Sequence, residues 1–414
     1  MATIINSPSS NKTATAAQGW TISATNWLAA TAAAMLAPVL PKIAQHFQGD
    51  ARVALMVSLV ATLPALFIAL CAWLAGLLAD RFGTRRILLY GVGIYGFLGC
   101  APMLLNSLIV IIVTRAVLGI AGAMMMVCTT ALVADYFQGS VRDRWFAIQT
   151  GGTGVAATMM ILLSGLLGQW DWRLPFALNG SAFILFAFVL LKTWEPSKHA
   201  ETSVKRLEES NIPSSYPQFA EKKYNWLPMI LICLITIFTS MAFYVVIIQL
   251  SFILSERGVT APGTIGMGAA IAVLFMAMGS ALFKLIGLPA AGKMTVSFAL
   301  SAAGFFVISF SHGFVFTEVG AAINGLGSGM ALPTLITWAL SKLTPAVIGR
   351  GTGMWQSSFF FGQFLSPLTI LFLANHFGSI SHAVLIYAIL CALATVAAFS
   401  CYFHVGFQSL VEVE

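Results

Sequence analysis

Charge is what this chain has least of. Lys, Arg, Asp and Glu make up 8% of its 414 residues, against 59% hydrophobic ones, whereas soluble domains carry about a quarter charged residues. Only 14 residues are acidic, which leaves few groups for general acid–base work. The six cysteines (Cys71, Cys100, Cys128, Cys233, Cys391 and Cys401) lie in or at the ends of apolar stretches, without metal-ligand spacing. They read as small hydrophobes, not as a disulfide framework or a zinc site. A Gly-x-Ser-x-Gly elbow, a nucleophile–base pair and a phosphate loop are all missing. The fragment Asn324-Gly325-Leu326-Gly327-Ser328-Gly329 follows no strand and reads as helix-packing glycine, not as a dinucleotide loop. The chain therefore has no catalytic residues, cofactor or metal to nominate, and enzyme chemistry is disfavoured. It also has no sizeable soluble output domain of the kind a sensor needs.

Long apolar runs are there in abundance. Twelve segments, near 18–41, 54–78, 86–105, 108–132, 145–169, 174–193, 226–252, 264–286, 293–311, 314–340, 350–374 and 380–403, are each long enough to cross a bilayer, which takes about 20 mostly apolar residues. Lipid offers the backbone no hydrogen bonds, so such runs form helices or a closed barrel. They far exceed the ~10-residue alternating strands of a barrel. The expected fold is an all-α membrane protein with twelve transmembrane helices. Counting Lys and Arg by loop parity puts sixteen on one side and only Lys42, Arg52, Arg173 and Arg257 on the other. By the positive-inside rule both termini are cytoplasmic. The net charge of +7 then describes topology and implies no nucleic-acid partner. The polar start lacks the basic region and cleavage site of a signal peptide, so the first helix is retained.

One long polar stretch interrupts the pattern, with six segments on either side. The expected organisation is a cytoplasmic tail (1–17), a six-helix bundle (18–193), a cytoplasmic linker (194–225), a second six-helix bundle (226–403) and a cytoplasmic tail (404–414). A faint internal echo aligns Gln149 with Gln356.

Gly76-Leu77-Leu78-Ala79-Asp80-Arg81-Phe82-Gly83-Thr84-Arg85-Arg86 is a short charged hairpin between two apolar segments. It resembles the loop between helices 2 and 3 of the major facilitator superfamily, G-x-L-x-D-R-x-G-R-[KR]. The match runs through Gly76, Leu78, Asp80, Arg81, Gly83 and Arg86, while Thr84 and Arg85 occupy a slightly shifted basic pattern. Helix 4 is similar to the family's R-x-x-x-G segment through Arg115, Gly119, Gly122 and Ala123. Helix 1 ends in Ala37-Pro38-Val39-Leu40-Pro41, similar to the P-x-L-P of bacterial drug exporters, where proline breaks or kinks the helix at the outer surface. Helix 11, from Trp355 to Pro367, resembles arabinose-efflux-like permeases. Helix 5 departs from the drug:proton antiporter motif: the aligned positions are Ala156, Met160, Ile161, Ser164 and Gly165, so the Gly-Pro pair is absent.

The resemblance implies two pseudo-symmetric bundles, nested three-helix repeats and alternating access by a monomer in a bacterial inner membrane. It implies a small-molecule substrate, with a proton as coupling ion and export of a drug or lipophilic metabolite as the direction. Import by a symporter or uniporter is the alternative. The expected cavity lies between helices 1, 4, 5, 7, 10 and 11, lined by Asn26, Arg115, Gln149, Gln249, Asn324, Trp355 and Gln356. Arg115 and Glu318 are the proton-coupling candidates, because ionisable groups inside a membrane are costly and usually functional. Gly76, Asp80, Arg81, Gly83, Arg85 and Arg86 form the expected gating loop, locking the cytoplasmic end against helix 11 in the outward-open state.

Overall fold

A computed structural model describes residues 14–49, 52–196, 225–344 and 347–411. The expected N-terminal tail up to residue 13 and the linker from 197 to 224 lie outside the described residues. Among those described, eleven helices are long and apolar enough to cross a bilayer, and a bent pair makes a twelfth. That pair, Ala16–Ala30 with Ala32–His46, is α1. Then follow α2 (Val53–Phe82), α3 (Thr84–Cys100), α4 (Leu108–Tyr136), α5 (Gly139–Trp170) and α6 (Leu174–Lys192), whose first turns are 3-10. After the linker come α7 (Leu227–Glu256), α8 (Pro262–Leu285), α9 (Ala290–Phe310), α10 (Phe314–Lys342), α11 (Ile348–Phe377) and α12 (Ile380–Val411). No strand occurs among the described residues. The expected tail from 404 continues α12 as helix through Val411.

Glycines set the turns that need a positive φ. Gly83 (φ 100°) separates α2 from α3, and Gly378 (φ 85°) ends α11, a conformation that costs a side-chain-bearing residue strain. The prolines of α1 do not end it as the sequence suggests. Pro38 and Pro41 occupy the first positions of a 3-10 turn and of the closing helical segment, where a missing N–H costs nothing. The 54° bend instead falls at Thr31, whose hydroxyl donates back to Trp27 O at 2.9 Å and Leu28 O at 3.3 Å. Such back-bonding competes with the helical ladder and bends helices.

The apolar core is unequal at the two ends of the bundle. We call the end carrying Arg81, Arg85 and Arg86 the basic end. At the opposite end a single cluster joins both sets of six helices, from Met35, Leu40 and Val60 through Ile161 to Val246, Ile265, Ile370 and Tyr387. Toward the basic end the cores separate. One draws only on α1–α6, with Ile22, Leu88, Leu132 and Val189; the other only on the second set, with Met229, Phe298 and Leu335 buried at its centre and Trp355 and Ala394 packed against it. A small cluster of Ala65, Ile68, Ala75, Ala123 and Phe360 ties α2 and α4 to α11 at mid-depth.

Two main crossings connect the sets, α2 with α11 and α5 with α8, and α1 adds smaller contacts to α7 and α8. At the first, Ser357 donates to Ala69 O at 3.1 Å. At the second the backbones meet without side chains: a Cβ on Gly165 would lie 2.8 Å from Pro262 O and 3.1 Å from Gly266 Cα. Small residues permit this approach, where dispersion and not hydrophobicity holds membrane helices together. Gly165, the last glycine left of the helix 5 motif, is thus the one that touches α8. Asn324 to Gly329 pack as a helix surface as well: a Cβ on Gly325 would sit 2.8 Å from Ala272 O of α8, and one on Gly327 2.5 Å from Ser297 O of α9.

Gly165→Val should force α5 off α8 and loosen the sealed end, at about 1–3 kcal/mol of overpacking. Spin labels on α5 and α8 at that end should report a longer distance, with labels at the basic end closer together. Unchanged distances at both ends would count against Gly165 as a pivot.

Candidate functional site

Between the two sets of helices a cleft of about 640 Å³ lies where α2, α4, α7 and α11 converge toward the basic end. Trp73, Val127 and Cys233 give it apolar walls, and Arg350, Gln356, Ser357 and Ser358 give it polar ones. Gly349 and Gly353 of α11 have no atom within 4 Å of a would-be Cβ, so one turn of that helix is bare. Of the expected cavity residues, Gln356 faces this cleft. Arg350, Ser357 and Ser358 were not singled out in the sequence. Their signal is the Gly349-Arg350-x-x-Gly353 spacing, which places an arginine beside a side-chain-free strip.

The other expected cavity residues lie elsewhere. Asn26 is buried between α1 and α4, its Oδ1 accepting from Thr129 Oγ1 at 3.2 Å. Gln149 anchors α5 to α1 through its carbonyl, which accepts from Trp27 Nε1 at 2.8 Å, while its side-chain Nε2 is buried without a partner. Trp355 stacks on Phe359 at 6.1 Å, and its Nε1 has no partner either. Asn324 does not line a cavity: it is fully buried, donating to Ser301 O of α9 at 3.4 Å and accepting from Ser328 Oγ at 3.1 Å. Gln249 sits in the sealed end, 1% exposed. It closes a π-helical turn, Val245–Gln249, and neither its Nε2 nor its Oε1 finds a hydrogen bond. Such turns inside α-helices often mark functional positions.

Arg115 lies inside the first six helices, away from the cleft. It is 1% exposed, and its Nη2 donates to Leu98 O at 2.9 Å and Gly99 O at 3.1 Å, the open carbonyls at the end of α3. The guanidinium also lies 5.1 Å from the Phe176 ring of α6. All of these partners belong to α1–α6. A cation at a helix C-terminus answers both the free carbonyls and the dipole, which is why it stays inside the bundle and does not reach the cleft.

Glu318 is different. It is 7% exposed on α10, near the sealed end, and both carboxylate oxygens are buried without a hydrogen bond. It lies flat against α8, filling the space a side chain on Gly268 would need. Arg257, whose guanidinium reaches the adjoining Thr317, is committed elsewhere. Its guanidinium donates to Ser311 Oγ at 2.7 Å, to Ile308 O at 2.6 Å and to Thr317 Oγ1. Burial pushes the Arg257 guanidinium below its ordinary value, with Glu256 beside it opposing.

The charged hairpin is pinned within its own half. Arg85 Nη2 donates to Leu190 O of α6 at 2.8 Å, and its backbone N–H to Glu195 Oε1 at 3.3 Å. Glu195 crosses so close to Gly83 that a Cβ there would lie 2.8 Å from its carboxyl. Tyr136, at the end of α4, stacks on Trp194 at 4.6 Å and exchanges two hydrogen bonds with its backbone, at 2.5 and 2.9 Å. A Cβ built on Gly76 would lie 4.0 Å from Val127, Arg81 lies 5.4 Å from the Phe82 ring, and Arg86 and Asp80 are exposed. Tyr136, Trp194 and Glu195 were not picked out from the sequence. The Trp194-Glu195-Pro196 run after an apolar helix was the available signal.

A helix bundle of this size, with two crossings and a cleft between its halves, is paired with a sequence match. The sequence model of the Major Facilitator Superfamily covers residues 22–346. The chain belongs to this superfamily. It is 25% identical over 352 residues to the bacillibactin exporter of Bacillus subtilis (strain 168), covering 80% of this chain and 84% of that one. It is 30% identical over 164 residues to the class E tetracycline resistance protein of Escherichia coli, covering 38% and 40%. A solved D-xylose-proton symporter superposes with a TM-score of 0.72 at 12% identity, over 92% of this chain and 96% of that one, a likeness of fold. The protein is thus a multi-pass membrane transporter of a small molecule and not an enzyme, and its superfamily includes many proton-coupled carriers.

Arg115→Lys keeps the charge but loses the planar fork that reaches two carbonyls. It should lower stability by roughly 1–3 kcal/mol, read as an earlier thermal transition of the purified protein. Transport per folded molecule should stay near wild type. A normal transition with lost transport would restore Arg115 to the transport pathway.

Proposed function

We propose that this transporter exports a lipophilic or weakly anionic small molecule from a bacterial cytoplasm in exchange for protons. The observation carrying this reading is the asymmetry of the core: one apolar cluster seals one end, while separate cores leave the basic end parted over the cleft. With sixteen of the Lys and Arg residues on that side, the basic end is assigned to the cytoplasm, with both termini there. The described conformation is then inward-facing, poised to take substrate from the cell. The named activities of the bacillibactin exporter and the tetracycline resistance protein support export. The chain acts as a monomer, its two six-helix bundles (18–193 and 226–403) rocking about the α2–α11 and α5–α8 crossings, with 194–225 as tether.

Within the cleft, Gln356 with Arg350 and Ser357 supplies the polar contacts to substrate, and Trp355 an aromatic wall beside it. Asn26 and Gln149 line the path on the side of α1–α6. Gln249 and Glu318 act at the sealed end. Glu318 is the coupling group: its carboxyl is buried without a hydrogen-bond partner beside the sealed end, so it can take up a proton from outside only when that end opens. Once neutral it is cheap to bury again, so proton uptake favours closure of that end, and release of the proton to the cytoplasmic side completes the exchange for exported substrate. Asp80, Arg81 and Arg86 belong to the lock that forms against α11 when the basic end closes. In the inward-facing form Arg85 instead holds Glu195 and the end of α6. The missing Gly-Pro in α5 favours a second reading, uptake by a symporter or uniporter, which accumulation of substrate in intact cells would select.

The test uses everted vesicles with an interior-acid gradient read by a quenched dye. An exported substrate should collapse the gradient, and Glu318→Gln should abolish the collapse while preserving counterflow exchange of labelled substrate. Asp80→Asn should slow both. Normal gradient collapse in Glu318→Gln would overturn the coupling assignment.

A further inference from the structure

Apart from the cleft between the halves, a lateral groove of about 850 Å³ is confined to the first six helices. α5 meets α6 chiefly at the latter's first turns, Leu174–Gly180, and the two helices diverge from there toward the basic end. α1 floors the wedge between them with Trp20, Trp27 and Leu28. The rims are apolar and outward-facing: Val155 is 63% exposed and Ile184 62%. From Arg144 to Met160 the groove follows α5 for sixteen residues, about 24 Å at 1.5 Å per residue. That carries it from the basic end past the middle of a hydrocarbon layer about 30 Å thick.

One charge lies along its whole length. Arg144 sits at the basic-end mouth, exposed, and makes no ion pair among the described residues; its neighbour Arg142 is the one that meets Asp143, at 3.5 Å. Trp20, 53% exposed one turn into α1, stands at the same level, the depth at which tryptophan settles at a membrane interface. A cation and an amphipathic ring at headgroup depth lie above an apolar trench that opens sideways into lipid. This chemistry fits an anionic amphiphile of the bilayer itself. We propose that the groove is a binding site for an anionic phospholipid, with one acyl chain between α5 and α6 over Trp27 and the headgroup phosphate on Arg144. The anionic surface of the cytoplasmic leaflet would supply it. Trp27 also fastens α1 to α5 through the Gln149 carbonyl, so the lipid lies directly on the joint between those helices.

Gly151 makes the site testable without disturbing the fold. It lines the groove, and a Cβ built on it would have no atom within 4 Å. Gly151→Leu therefore plugs the trench from inside. The full-length protein in nanodiscs would be irradiated with phosphatidylglycerol carrying a diazirine on one acyl chain, or with the matching phosphatidylcholine, and labelled peptides mapped by mass spectrometry. Phosphatidylglycerol should label the α5 and α6 segments around Val155 and Ile184 several-fold more than phosphatidylcholine. Gly151→Leu should cut that labelling several-fold. Arg144→Gln should leave chain labelling in place but erase the preference for phosphatidylglycerol, so it tests the headgroup assignment even if the leucine variant folds poorly. Equal labelling by the two lipids in the unaltered protein would overturn the proposal. So would full labelling of a folded Gly151→Leu protein, or a preference that survives Arg144→Gln.

Discussion

Hydrocarbon gives a polar group nothing to bond to, and this constraint governs nearly every polar residue in the protein. Many hydroxyls within the helices turn back on their own ladder: Thr25 to Thr21 O and Thr236 to Ile232 O at 2.8 Å, Thr62 to Ser58 O at 3.0 Å. Arg115 takes up the loose carbonyls at the end of α3. Against this background of internal satisfaction, the groups left without partners stand out, above all the Glu318 carboxylate and the Gln249 amide. An uncompensated buried group is costly, and that cost is the physical basis of the role proposed for Glu318.

The same constraint shapes how the halves meet. Where no hydrophobic force drives helices together, close backbone approach does, and the α5–α8 crossing is built from Gly165 and Gly266 with no side chain between them. A contact of bare backbone can pivot without unpacking a side-chain interface. The apolar cluster at the sealed end draws buried side chains from eleven helices, whereas toward the basic end each half has a core of its own.

Much of the bundle was legible in the sequence because hydropathy over about 20 residues suffices to fix a span. The twelve segments found by that criterion match the helices, with ends extended where polar residues continue a turn, as Gly139 to Arg144 do at the start of α5. The bend at Thr31 was not legible, since Pro38 and Pro41 carried the stronger breaker signal and their placement at segment starts depends on packing. The candidate site was read less well. Gln356 reaches the cleft, while Arg115 and Asn324 turn inward to neighbours. A polar residue on an apolar helix announces only that it needs a partner, not whether the partner is substrate, water or the next helix.

Composition and patterning by themselves determined that this chain lives in a membrane, how many times it crosses, which loops carry the positive charge and which superfamily its hairpin motif resembles. These properties are local: each depends on the chemistry of one segment against lipid or water. Tertiary structure decided what no segment contains alone. It set which end is sealed, made Arg115 a strut, left Glu318 without a partner, tied Arg85 to Glu195 and opened a lipid-facing wedge between α5 and α6. Those outcomes depend on contacts between residues far apart in the chain, where the register and tilt of one helix against another fix what each side chain meets.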